Sequence, residues 1–178
     1  MAYGFPNERP DFWGKDSDYS DRSASNYWLI SADKIFSSAV NEFKDFSRFF
    51  DIEFAIRRSS ITSNGKSSDS YVCAEEVKIF MPVGRYCAML LSRLGNKALI
   101  SKIIIKKMTY MSNKLTPIEE KEFQNCSIQS FSRKGDVIAF TFRYNSFSDA
   151  YTEFKPDGSK LGTSAANIDL VTWKVEEK

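Results

Sequence analysis

Histidine is missing from all 178 residues, and that absence removes much of ordinary enzyme chemistry. It takes away the commonest general base, the commonest zinc ligand and every Ser-His or Cys-His nucleophile pair. Cysteine is scarce as well. Cys73, Cys87 and Cys126 are odd in number, widely spaced and set in apolar strand or helix patterns. They read as buried free thiols suited to a reducing compartment, not as a disulfide framework. No run of 18 apolar residues occurs, so no membrane insertion is expected. Neither a Gly-rich phosphate loop nor a spaced metal-ligand set is present, and no cofactor or metal is expected. The net charge of +2 is too small to point to nucleic acid or an anionic membrane. The first 25 residues have neither a basic start nor an apolar core, so no cleavable signal peptide is expected.

What the chain has in excess is aromatic: 15 Phe, 8 Tyr and 3 Trp, the usual filling of pleated sheets. Its 42% hydrophobic and 27% charged residues suit a globular chain, and its length suits one domain burying about 70% of its unfolded surface. Residues 1–25 form a polar arm with aromatics, including Phe12 and Trp13, and residues 26–178 form the domain.

Carboxylates occur in adjacent pairs at Glu75-Glu76, Glu119-Glu120 and Glu176-Glu177. Neighbours on a strand point to opposite faces, so Glu75 and Glu76 are poorly placed to share a proton. Glu119-Glu120 follows Pro117 and reads as loop. All three pairs are expected to be solvated. Ser31–Lys34 and Ser63–Lys66 have Ser-x-x-Lys spacing, but the chain lacks the Lys-Thr-Gly strand that such acyl-transfer sites require. No catalytic residue is assigned. Lys102, Lys106 and Lys107, with Tyr110 nearby, form a basic-aromatic stretch. Strand parity places Lys102 and Lys106 on one face and Lys107 on the other, as in an ordinary sheet wall.

The best-punctuated segment is residues 77–107. Val77, Ile79 and Met81 alternate as in a half-buried strand that Pro82 stops. Val83, Cys87, Leu90, Leu91 and Leu94 fall on one face of a helix over about residues 84–94. Gly95-Asn96 supply residues tolerant of the left-handed conformation that ends helices. An apolar strand starts at Leu99.

Upstream, a first strand is expected over Asn26–Ser31, and in residues 33–48 Ile35, Phe36, Val40, Phe43 and Phe46 fit either a helix or an irregular loop with a short strand. Phe50, Ile52, Phe54 and Ile56 alternate with polar or small neighbours as one strand. Residues 59–70 form a turn-rich segment around Asn64-Gly65. Downstream strands are expected near 99–110, 122–131, 136–145, 150–155 and 167–175, with turns at Lys134-Gly135-Asp136 and Asp157-Gly158. The pattern predicts a mainly β fold: a single-domain barrel or sandwich of two antiparallel sheets with one short helix.

Two stretches, in this order and spacing, resemble Hcp, the tube protein of bacterial type VI secretion systems. The first is the VKIFMPV strand, the Leu-Leu helix, Gly95-Asn96-Lys97 and the Ile-rich strand with lysines. The second runs from Tyr151 through Asp157-Gly158-Ser159-Lys160 to Asp169-Leu170 and Lys174. The resemblance spans about residues 27–178. It implies a non-enzymatic subunit that closes into hexameric rings and stacks as a tube inside a contractile sheath. Spike and baseplate proteins would be further partners, and effectors would be possible lumen cargo. It also implies residence in the bacterial cytoplasm before firing and export without a signal peptide. By the same resemblance Ile61, Asn64, Gly65 and Lys66 are candidates for contacts between stacked rings, and Lys102 and Lys106 for the lumen or surface. The aromatic arm is extra to the family pattern: it is either a loosely packed terminus or an inter-subunit arm anchored by Phe12 and Trp13. Arg85-Tyr86-Cys87 also departs from the small-residue and Pro helix opening common in the family. Two other classes stay open. One is a monomeric β-barrel binding a small apolar ligand, and the other is a strand-based nucleic-acid binder.

Overall fold

The computed structural model describes residues 26–36, 43–63, 66–111, 114–172 and 174–177. Its centre is an exceptionally long strand, β8 (Lys114–Lys134), which belongs to two layers. The strands before and after it are β1 (Asn26–Ala32), β2 (Ser47–Phe49), β3 (Asp51–Glu53), β4 (Ile56–Ser63), β5 (Lys66–Ala74), β6 (Val77–Pro82), β7 (Ile100–Met111), β9 (Val137–Arg143), β10 (Ser146–Phe154), β11 (Lys160–Asp169) and β12 (Lys174–Glu177). One layer has the order β12-β11-β10-β8-β7-β1-β2, and the other runs from the far half of β8 through β9 and β6 to β3. Every pairing is antiparallel.

The change of layer happens at Asn125, whose φ of 52° is left-handed. Asparagine enters that region more readily than most residues with a side chain. The strand pairs with β10 up to Gln124 and with β7 up to Cys126; from Ser127 it pairs with β9. On the opposite side, the chain from Ser47 to Glu53 makes a similar switch. Phe50 donates its N–H to the Phe80 carbonyl at 2.8 Å, between a segment paired with β1 and one paired with β6. The layers therefore share bent strands at both sides, and the result is a sandwich; no closed barrel is found among the described residues.

Between the layers lies one apolar core. Ile30, Ile103, Ile105, Phe123 and Phe147 face Val77, Ile79, Met81, Ile138, Phe140 and Phe142. Each such side chain contributes about 1.5–3 kcal/mol when fully buried. The helix α1 (Tyr86–Asn96) adds Tyr86 and Leu90 to this core. A second, smaller cluster forms where Tyr27, Phe43 and Phe46 cover Leu29, Met108 and Leu115.

Several expectations shift. The helix starts and ends two residues later than the sequence pattern places it. Its N-terminus is set by Tyr86, whose hydroxyl donates to the Pro82 carbonyl. A Cβ on Gly84 would lie 2.6 Å from the Tyr86 ring, so a larger residue there would displace that ring. At the other end the left-handed residue is Lys97 (φ 52°), not Gly95 or Asn96, which remain helical. Leu91, expected on the buried face, is exposed.

The alternating Phe50–Ile56 segment is not one strand but β3 and the start of β4, because after Glu53 the chain leaves its ladder with β6 and from Ile56 pairs with β5. Glu119-Glu120 lies within β8 and not in a loop. Pro117 is accommodated beside a register shift between Lys107 and Met108, where the ladder is already irregular. The strand expected over 167–175 is instead β11, ending at Asp169, followed by the separate β12. Both predicted turns are present. Asp157 accepts hydrogen bonds from the Ser159 N–H and hydroxyl, which hold its carboxyl below the usual range.

Candidate functional site: projecting hairpin and polar sheet face

The turn-rich segment does not remain loop. β4 and β5 pair with each other from Ile56↔Ala74 to Ser63↔Lys66 and, among the described residues, with no other strand. A polar Ser/Thr tract forms this ladder because antiparallel pairing satisfies its backbone groups without a hydrophobic face. At about 3.3 Å per residue, the nine residues of β5 extend about 30 Å. Ile61 and Lys66 fall in the distal half of this hairpin, while Asn64 and Gly65 lie outside the described residues. Phe12 and Trp13 also lie outside them.

The hairpin joins the sandwich through a narrow root. There Glu75 donates its N–H to the Ala55 carbonyl at 2.9 Å, and Arg57 pairs with Glu75 at 2.9 Å. Glu76 accepts from Arg143 and from Thr141, each at 3.0 Å. Phe54, between β3 and β4, packs its ring 5.5 Å from Phe147 and 6.2 Å from Phe123. Beneath it Lys121 is buried, with Nζ 5.4 Å from the Phe54 ring centroid. Its ammonium pairs with Glu119 and, at 2.8 Å, with Asp149. Cys73 lies at the same root and is exposed, contrary to the expectation of three buried thiols; Cys87 is half-buried and Cys126 is buried.

The outer face of the β7–β8–β10–β11 layer is polar. Lys102 and Lys106 share this face and are held by carboxylates across the ladder, Lys102 to Glu122 at 3.1 Å and Lys106 to Glu120 at 2.8 Å. Gln124 donates to Glu122 at 2.7 Å. Beside them, Ser146, Ser148, Asn167 and Asp169 line a shallow cleft of about 370 Å³. On β11, β12 covers only Ala166–Asp169, and among the described residues no strand pairs with the outer edge of residues 160–165.

The carboxylate pairs of the sequence are thus mostly engaged. Glu75 meets Arg57, Glu76 meets Arg143, Glu119 meets Lys121 and Glu120 meets Lys106. Sequence reasoning missed Phe54, Lys121 and Asp149. The signal was present for one of them: Lys121 shares strand parity with Phe123, which points inward.

No family model matches the sequence, and no curated protein matches it. Solved structures do. A type six secretion system protein superposes with a TM-score of 0.74 at 13% identity, over 86% of this chain and 100% of that one. Hcp1 from Salmonella typhimurium gives 0.70 at 15% identity, over 85% and 99%. An Hcp1 protein from E. coli gives 0.64 at 10% identity, over 82% and 98%. The chain has the Hcp fold. Each of these chains is matched almost end to end.

Proposed function

We propose that this protein is a tube subunit of a type VI secretion apparatus. The observation that carries this reading is the match of the whole Hcp-like chain, with nothing of its length left over, at a TM-score of 0.74. In this reading copies close into a hexameric ring through a repeated head-to-tail contact. Rings stack through the β4–β5 hairpin, with Ile61, Asn64, Gly65 and Lys66 at its distal end, and the arm of residues 1–25 ties neighbours through Phe12 and Trp13. Lys102 and Lys106 belong to a polar wall facing either the lumen or the outer surface. The role is mechanical and recognitive, with no catalytic step. The subunit would assemble in the bacterial cytoplasm around possible effector cargo, meet sheath, spike and baseplate proteins, and leave the cell on firing. The ion-paired carboxylates and the open edge of β11 fit an assembly surface better than a reaction centre. The alternative of a small apolar ligand inside a barrel gains no support, because Phe123, Phe140, Phe142 and Phe147 fill the space between the layers.

The test is the native mass by light scattering, with negative-stain imaging of the same peak. Closed rings of six times the 20.4 kDa chain mass are expected. A strict monomer at high concentration, also unable to join rings of a known Hcp, would overturn the proposal.

A further inference from the structure

Lys121 is the one buried charged residue among the described residues, on the inward face of β8 beside Phe123. Fold stability alone does not call for a cation there, since a well-packed apolar side chain serves a core as well or better. Its surroundings are specific. Glu119 lies two residues away on its own strand and Asp149 directly across the ladder on β10, where the register pairs Asp149 with Lys121. Ile105 is its partner on β7 and carries no charge. On the remaining side sits Phe54, the last aromatic before the chain leaves the sandwich as β4.

Phe54 is the only aromatic residue of the root segment 54–55, and it touches Lys121, Phe123 and Phe147 together. The second root segment, Glu75-Glu76, is tied separately to Ala55 and to β9 through Thr141 and Arg143. The hairpin ladder, in contrast, pairs with no other strand among the described residues, and its first pair, Ile56 and Ala74, packs on the core beside Phe54. Its direction is therefore decided at the root. A ring face attracts an ammonium held still by two carboxylates more specifically than an apolar neighbour would, because the attraction depends on where the ring lies over the charge.

We infer that Lys121, clamped by Glu119 and Asp149, is a positioning residue: through Phe54 it sets the direction in which the β4–β5 hairpin leaves the sandwich. The biological consequence rests on the proposed tube, in which that hairpin bridges rings; the geometry does not, and it is measurable whether or not rings form.

The experiment uses the full-length chain with Cys73→Ser, Cys87→Ala and Cys126→Ala. Spin labels are placed at position 62 on the hairpin and at Thr163, an exposed residue of the sandwich. Distances are measured between labels within one protomer, diluted into unlabelled protein. Replacing Lys121 alone leaves two carboxylates unpaired and endangers folding, so the decisive variant is Lys121→Met with Glu119→Gln and Asp149→Asn. Phe54→Leu tests the same latch with the ion pairs intact, and Phe54→Tyr restores a ring. The expected result is a distance distribution at least twofold broader in the neutralised triple variant and in Phe54→Leu, with the parental width in Phe54→Tyr. A folded triple variant or Phe54→Leu with unchanged width and mean would overturn the inference. Ring formation, read separately by light scattering, then reports on the tube proposal alone.

Discussion

The two faces of the β7–β8 ladder carry the same chemistry into different surroundings. On the outer face Lys102 meets Glu122 and Lys106 meets Glu120; on the inner face Lys121 meets Glu119 and Asp149. The side chains are the same types at similar separations, yet that of Lys102 is 46% exposed and that of Lys121 only 6%. At the outer face water and salt screen each charge, and removing a partner leaves an ion that simply hydrates. At the inner face water is largely excluded, so losing one partner strands the others. Distance alone says little about what an ion pair contributes; burial decides it.

The largest expected effect breaks the inner pair. Lys121→Met should destabilise the fold by about 3 kcal/mol, at the low end of the range for halving a buried ion pair because Asp149 keeps some contact with solvent. Chemical denaturation measures it. Adding Glu119→Gln and Asp149→Asn should recover most of the loss, since the neutral set leaves no stranded charge. A loss below about 0.5 kcal/mol for Lys121→Met would mean that the inner and outer faces do not differ as argued.

An alkaline titration sharpens the same contrast without mutation. Burial pushes Tyr86, Tyr144 and Cys126 each up to about 12, from ordinary values of 10.0 for the tyrosines and 9.0 for the cysteine. The folded state therefore keeps these protons when the unfolded chain has already released them. Their contribution is fully present below pH 9 and is lost as pH rises towards 12, by up to about 1.4 kcal/mol per pH unit for each group. Denaturation midpoints should be flat from pH 7 to 9 and fall steeply from pH 10. A midpoint that stays level to pH 11 would show these groups to be reached by water.

How much of this was legible in the sequence depends on whether a segment buries a face. Val77, Ile79 and Met81 alternate and are all fully buried, and the helix apolar stripe correctly brings Leu90 inside. Where nothing needs burying, periodicity is silent. The serine-rich hairpin and β11, with its Leu161-Gly162-Thr163-Ser164 run, form strands through backbone pairing alone. Apolar alternation misled at Phe54-Ala55, because it records which side is apolar and not which neighbour the backbone chooses. Pro117 read as a break because apolar periodicity does not show the unpaired Ile118 beside it, which opens the ladder where the proline lacks an N–H. Of the site, Lys102 and Lys106 were correctly placed on a common face. Lys121 was missed because lysine is ordinarily a surface residue, and only its carboxylate partners on β8 and β10 make burial tolerable.

The smallest effects lie on the outer face and rank within it. Lys106 is less exposed than Lys102, 20% against 46%, and its ammonium also lies 5.6 Å from the Phe46 ring centroid. Lys106→Met should therefore cost about 0.5–1 kcal/mol, and Lys102→Met about 0.2 kcal/mol. Raising the ionic strength from 0.15 M to 1 M shortens the screening length from about 8 Å to about 3 Å and should erase most of the Lys102 effect. It should leave most of the Lys121 effect, whose charges face little solvent. The decisive quantity is the ratio of the Lys121→Met loss to the Lys102→Met loss, measured at both salt concentrations. That ratio should rise with salt if burial controls these pairs, and stay constant if their separation does.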